Sequence, residues 1–241
     1  MAEYIIQDTT LIEHADIIRN LSGLTTPLSF SEMNTVIRNA IALEDGFIDG
    51  STEHISNHRI TNIRDYAFYQ HQTLIEANFS AATSIGDYSF YKCPMITSTN
   101  IPAVETVGAF SFKGCSSLTS ANYPLAITVG QGCFDECTAL SSVNLPLVTE
   151  VKPLTFRKCE SLTVVDLPVA ANIGTQAFYD SGITSLTLRS STMVTLENED
   201  AFYFTPIEEG AGNIYVPSNL VADYKSADGW SVYANQIKAI V

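Results

Sequence analysis

Positive charge is the first shortage in this 241-residue sequence, where 12 Lys and Arg stand against 26 Asp and Glu for a formal net charge of −14. A surface of that sign repels phosphate backbones and anionic lipid, which argues against nucleic acid as a partner. Charge of either sign is sparse, at 16% of residues. The solvent face must therefore be built from Ser, Thr, Asn and Tyr, a composition common on extracellular and virion surfaces. No apolar run approaches the roughly 20 residues that a membrane-spanning helix needs, so membrane insertion is not expected. Met1 to Asp8 has no basic region, apolar stretch and small-residue cleavage site in succession, so no export signal is expected there. Also missing are a G-x-S-x-G elbow, a phosphate-binding glycine loop and a Cys/His pair with nucleophile spacing. The expectation is a non-enzymatic protein with no catalytic residues and no cofactor.

What the sequence does have is a repeat, and 46% hydrophobic residues to give it a core without metals or disulfides. Phe68, Phe90, Phe112, Phe134, Phe156 and Phe178 follow one another at intervals of 22 residues, and Phe202 comes 24 later. Cys93, Cys115, Cys137 and Cys159 each fall three residues after their phenylalanine, and Leu74, Ile96, Leu118, Leu140 and Leu162 fall six after. Ala77, Ala121, Val143 and Val165 come nine after, with Thr99 the exception, and Phe79, Ile101, Tyr123, Leu145 and Leu167 come eleven after. The stretch from Leu140 to Leu145 alternates at its end as a short strand does, and Pro146 ends it because proline cannot donate to a sheet ladder. One such unit cannot bury its apolar side alone. Stacking sets each Phe, Leu and Cys against its own copy and makes one continuous core.

The units resemble the BspA-like subclass of leucine-rich repeats, as in Ile173-Gly174-Thr175-Gln176-Ala177-Phe178 and Phe112-Lys113-Gly114-Cys115-Ser116-Ser117-Leu118. The resemblance implies a curved solenoid of seven repeats over residues 60–217, each coil contributing one short parallel strand, and a scaffold for binding. Departures fall at the ends. His71 replaces the first cysteine, the sixth unit is one residue short near Gly182-Ile183, and the seventh carries an insertion before Ile214-Tyr215-Val216-Pro217. Residues 218–241, with Tyr224, Trp230, Tyr233 and Ile237, are expected to cap the last coil.

Residues 1–45 hold two runs at helical spacing: Leu11, Ile12, Ala15, Ile18 and Leu21, then Met33, Val36, Ile37, Ala40 and Ile41. They predict a helical hairpin, with 46–59 as linker or N-terminal cap. The segment from Thr10 to Ile41 resembles one frequent in structural proteins of tailed bacteriophages and prophages, through Ala15-Asp16-Ile17-Ile18-Arg19, Gly23 and Met33. That resemblance implies a virion surface protein whose N-terminal module docks on other virion proteins while the solenoid meets a host cell-surface protein or glycan. The alternative is a bacterial cell-surface adhesin of the BspA-like kind. Self-association into a homo-oligomer is left open.

The expected binding surface is the outward face of the repeated strands: Thr97, Ser98 and Asn100; Thr119, Ser120 and Asn122; Ser141, Ser142 and Asn144; Thr163 and Asp166. Regular hydroxyls and amides suit a glycan or extended peptide, although Thr and Ser also suit a strand face that merely meets water. Tyr66, Tyr69, Tyr88, Tyr91 and Tyr179 form a second candidate edge. The cysteine ladder reads as core rather than metal site, since stacked thiols form a line and not a tetrahedron. Cys133 lies off it, with a disulfide left open. His54 and His58 read as solvated cap residues without a third ligand. The acidic groups Asp135-Glu136, Glu197 with Glu199-Asp200, and Glu208-Glu209 read as solvated surface.

Overall fold

The computed structural model describes residues 53–241, and the chain there is a parallel β-solenoid. Eight strands on one face of the coils run from His54–Ser56 through Glu76–Asn78, Ser98–Asn100, Ser120–Asn122, Ser142–Asn144, Val164–Leu167 and Ser185–Leu188 to Asn213–Val216, paired in successive groups of three, two and three. The 22-residue interval becomes strand register: Ile55 stands opposite Ala77, Ala77 opposite Thr99, and Ala121 opposite Val143. Each middle residue points inward and its two neighbours point out, the alternation expected of a pleated strand.

Residues 53–59, expected to be linker or cap, instead supply the first of these strands. Ile55 fills the inward position, but no Phe and Cys precede it at repeat spacing to mark the coil. The helical hairpin expected over 1–45 lies outside the described residues.

A second correction concerns strand number. Each coil carries not one strand but two, the second only two residues long: Asn62–Ile63, Ser84–Ile85, Thr106–Val107, Thr128–Val129, Glu150–Val151, Asn172–Ile173 and Thr195–Leu196. All pair in parallel at the coil interval, apart from a break between Thr128–Val129 and Glu150–Val151. One polar and one apolar residue make too short a pattern to announce a strand. Glycine follows four of these strands, at Gly86, Gly108, Gly130 and Gly174, and packs closely there: a Cβ on Gly130 would lie 2.4 Å from the Ala109 nitrogen of the preceding coil.

The rest of the coil is a run of turns with a divided hydrogen-bond pattern. The N–H groups of Tyr66, Phe68 and Gln70 reach forward to the carbonyls of Asp87, Ser89 and Tyr91, while those of Ala67, Tyr69 and His71 close turns within their own coil. The same division recurs at Tyr88 to Lys92 and Phe110 to Gly114. Two positions per coil are left-handed, one row running from Tyr66 to Gln176 and one from Gln70 to Phe204, and glycine fills them only at Gly132 and Gly114. Each non-glycine residue there costs about 1 kcal/mol, offset by the inter-coil bond it helps to make.

Inside, the seven phenylalanines stack with centroids 4.9 to 5.7 Å apart. The cysteine ladder has a chemical reason beyond its size. Each thiol donates to the carbonyl of the phenylalanine 25 residues earlier, from Cys93 to Phe68 at 2.9 Å through Cys159 to Phe134 at 3.1 Å. The row needs a small, apolar-tolerant donor. At its two ends the role changes: the His71 ring accepts from the Leu74 N–H at 3.2 Å, and Thr205 donates to Phe202 at 2.6 Å.

The irregular coils are absorbed locally. The residue missing from the sixth unit brings Gly182 so near Glu160 that a Cβ would sit 2.0 Å from its carbonyl oxygen, and strand register resumes 21 residues on, with Val164 opposite Ser185. Residues 218–241 fold over the last coil. Trp230 donates to the Val194 carbonyl, the Val194 N–H donates to the Tyr224 hydroxyl, and Ile237–Ala239 adds a ninth strand beside Asn213–Val216.

One exception in the repeat explains another. Tyr123 is fully buried where other coils have Phe, Ile or Leu, and its hydroxyl lies 2.7 Å from Thr99, the one polar residue in the Ala/Val row. Desolvation pushes that phenol far above its usual range, so it stays neutral and needs a partner. Thr99→Val should destabilise the protein by about 1–3 kcal/mol, and adding Tyr123→Phe should recover most of that loss; urea melts of the two single variants and the double variant measure the coupling.

Candidate binding surface

The structure divides the expected sheet-face residues by what their polar atoms already do. Thr97, Thr119 and Ser141 donate their hydroxyls to the carbonyls of Ile75, Thr97 and Thr119, each one coil back, at 3.1 to 3.3 Å. These hydroxyls act as rungs between coils. Asn100 donates to Asn78 at 3.0 Å and Asn144 to Asn122 at 2.7 Å, so the amides are partly spent on one another. Asp166 pairs with Arg189 at 2.9 Å on an exposed part of the face. Thr163 stands exposed at the strand edge. Ser98, Ser120 and Ser142 differ: they share one register, their neighbours are rigidly laddered, and their hydroxyls have no partner among the described residues.

The tyrosine edge is one surface only at its N-terminal end. Tyr66 stacks on Tyr88 at 5.2 Å, Tyr69 on Tyr91 at 5.0 Å, and Phe110 extends the first row beneath Tyr88 at 5.3 Å. Tyr179 stands at the far end of the Tyr69–Tyr91 row, beyond Lys113, Asp135 and Arg157, and meets Phe204 edge-on. These rings are therefore stacked on one another between coils.

Asp135 corrects the sequence reading of its acidic pair. Rather than solvated, it is fully buried, with Lys113 at 2.8 Å on one side and a two-pronged Arg157 contact at 2.8 Å on the other. The three residues occupy one register at 22-residue spacing, so stacking lays a cation over each face of the carboxylate. Half-buried Glu136 adds contacts at 3.7 and 3.4 Å. Burial alone would lower the Lys113 pKa, but the hydrogen bond and charge of Asp135 outweigh it and raise the value; the hydrogen bond to Asp135 likewise raises that of Arg157. The signal was present in the alternating charges Lys113, Asp135 and Arg157, had the repeat arithmetic been applied to polar residues.

The other acidic groups repair the irregular seventh coil. Asp200 accepts from the Gln176 N–H at 3.2 Å, where regular coils use a backbone carbonyl, and Glu208 accepts from the left-handed Phe204 at 2.6 Å. Glu197 takes the Asn172 amide and the Thr175 N–H, and Glu199 takes the Tyr203 hydroxyl, whose pKa this hydrogen bond raises. Glu209 has no such contact. His54 lies 3.2 Å from Glu76, and His58 2.8 Å from Ser80, both exposed. Among the described residues no three His, Cys, Asp or Glu side chains gather as a metal site would require, and no helix is long and apolar enough to cross a membrane.

A family model described as a BspA type leucine rich repeat region matches in six copies over residues 47–163 and 127–221. The chain belongs to the BspA-type leucine-rich-repeat family. Comparison with curated proteins finds no match. Among solved structures, a leucine-rich repeat protein from Bacteroides ovatus is 17% identical with a TM-score of 0.50, the alignment covering 78% of this chain and 60% of that one. A leucine rich cell surface protein from Faecalibacterium prausnitzii is 21% identical with a TM-score of 0.45, over 58% and 48% of the two chains. A leucine rich repeat protein of T. pallidum is 20% identical with a TM-score of 0.41, over 54% and 73%. The chain thus spans about half to three fifths of the first two structures. None of these matches supports the phage resemblance of the N-terminal segment, which lies outside the described residues.

Within this BspA-type solenoid all five cysteines are free and buried. Cys133, left open for a disulfide, sits instead in the small-residue row before the phenylalanines, 3.2 Å from the Ser111 hydroxyl. Desolvation pushes its thiol up to about 12 and raises those of Cys115, Cys137 and Cys159 as well. Raised folded-state values mean that the folded chain holds protons the unfolded chain has lost, so their contribution to stability is complete below the ordinary thiol pKa near 8.5 and declines above it. Iodoacetamide at pH 8 should leave the native protein unlabelled and modify five thiols in 6 M guanidinium, and urea midpoints should fall between pH 8 and pH 10.

Removing the central carboxylate leaves two cations facing a dry site. Asp135→Ala should cost about 3–5 kcal/mol, measurable by urea melting, while Glu209→Ala on the exposed surface should stay within about 0.5 kcal/mol.

Proposed function

We propose that this chain is a bacterial cell-surface binding protein of the BspA-like kind, and that the face carrying its longer strands receives an extended polar partner. The observation that carries the reading is the row of Ser98, Ser120 and Ser142 hydroxyls, unpartnered and repeated across adjacent coils while the atoms around them are tied down. Family membership supports a scaffold for recognition, and a surface with little charge and much Ser, Thr and Asn suits an extracellular setting. A pre-ordered array loses little entropy when a partner settles on it. The buried carboxylate Asp135 is saturated by two cations and the five thiols are fully enclosed, which suits a scaffold.

Location comes first. Mass spectrometry of envelope and particle fractions from the source culture should find the polypeptide enriched at the envelope; stoichiometric recovery with virions would sink this reading and leave the particle-borne one. For the face itself, glycan and peptide arrays probed with the purified chain should give hits that disappear for a triple Ser98→Glu, Ser120→Glu, Ser142→Glu variant with an unchanged melting temperature. Hits that survive the triple substitution would move the binding site elsewhere.

A further inference from the structure

The side of the coils that carries the two-residue strands holds a groove of about 540 Å³. One wall is the outward row of those strands, Asn62, Ser84, Thr106 and Thr128. The other is the row three residues on, Asp65, Asp87, Ala109 and Gln131. Between them lie Gly86, Gly108 and Gly130, which put no side chain into the space.

The polar atoms of the walls are held in place yet keep bonding capacity. Asp65 accepts the Asp87 N–H at 2.8 Å and Asp87 accepts the Ala109 N–H at 2.7 Å, each through Oδ1, so both carboxylates are fixed and each presents Oδ2. Opposite, Ser84 donates to Asn62 at 2.9 Å, while the Thr106 and Thr128 hydroxyls and the Gln131 amide have no partner among the described residues. The backbone beneath is already used between coils: Gly86, Gly108 and Gly130 donate to the carbonyls of Ile63, Ile85 and Val107. A ligand must therefore bond to the walls. Charge does not select it, because carboxylates and cations nearly balance. Asp65 and Asp87 lie toward one end, Lys152 lies at the other, 3.8 Å from Glu150, and Arg64 stands exposed in register ahead of Gly86.

The repeat sets the period that a ligand must match. Successive copies of each wall stand ~4.8 Å apart, whereas an extended peptide advances ~3.4 Å per residue and returns to the same face only after ~7 Å. A β-1,4-linked hexose chain is a straight ribbon whose rings each advance by close to one coil step, so every ring meets one copy of both walls. Its hydroxyls donate to carboxylates and accept from threonines, the two capacities the walls offer. We infer that the groove binds a neutral β-1,4-linked glycan, with Asp65 and Asp87 as acceptors on one wall and Thr106 and Thr128 on the other. The inference does not rest on the serine row, which belongs to the longer strands.

The probe is β-1,4-mannohexaose, titrated into the chain and followed by calorimetry, with maltohexaose, whose α-1,4 links make it coil, and β-1,4-hexamannuronate as comparisons. Asp65→Asn with Asp87→Asn keeps an oxygen to cap the backbone and turns the outward acceptor into an amide; Thr106→Val with Thr128→Val removes two hydroxyls and keeps the branching at Cβ. Mannohexaose should bind saturably, more tightly than either comparison and alike at low and high salt. Each pair of substitutions should weaken it ~10-fold without changing the melting temperature, and the triple serine variant should bind it as the native chain does. A mannan signal that survives the serine variant but not the aspartate pair belongs to this groove and leaves the serine reading to other ligands. No saturable binding, equal binding of maltohexaose, or indifference to both pairs would overturn the proposal. So would tighter binding of hexamannuronate, which would make the attraction ionic, or loss in the serine variant alone, which would move the glycan to the longer strands. A Ser-Thr hexapeptide that binds more tightly with the same aspartate dependence would make the groove a peptide site and overturn it too.

Discussion

Stacking each residue on its own copy, one strand spacing away, is the constraint on which the molecule depends. At that distance a row of like apolar groups is favourable, a row of hydroxyls and amides can pair with itself, and a row of like charges is ruled out. The phenylalanine stack, the Thr97–Thr119–Ser141 rungs and the alternating Lys113, Asp135 and Arg157 are three answers to one geometric demand. The cysteine row is a fourth, in which a small side chain fills space and also gives the turn-closing phenylalanine carbonyl of the preceding coil a second donor.

This explains which features could be read from the residues and which could not. The repeat, its inward rows and the end irregularities were visible because they are conveyed by apolar identity at fixed intervals. The second sheet was not, since two residues such as Thr128-Val129 have no periodicity of their own and become a strand only when the neighbouring coil pairs with them. The coil containing Ile55 was missed for a related reason, as it lacks an upstream Phe and Cys and holds its place by register with Ala77. Asp135 was misread because side chains one coil away decide its environment, and an apolar pattern says nothing of them. The helical hairpin expected from the N-terminal spacing lies outside the described residues.

The candidate site was legible as a face but not as a set of atoms. All eleven residues were chosen as outward-pointing and polar, and the structure shows that these properties do not make a group available. Two thirds of that array have roles within the scaffold: rungs, amide pairs and the Asp166–Arg189 contact. A solenoid spends its outward polar atoms on its own coils first, because their copies always lie within reach. Availability is therefore what separates Ser98, Ser120 and Ser142 from their neighbours.

The same geometry decides what becomes of a charged residue. Where a basic residue stands next in register to a buried acid, as Lys113 and Arg157 do beside Asp135, folding consumes it. Lys158 shows that adjacency alone does not make a pair: Glu136 behind it is held by Lys113 and Arg157, and among the described residues no ion pair joins it to exposed Asp180 ahead. A fold that pairs each side chain with its own repeat leaves binding capacity wherever the repeat fails to supply a complement, and that test can be applied register by register to any stacked coil.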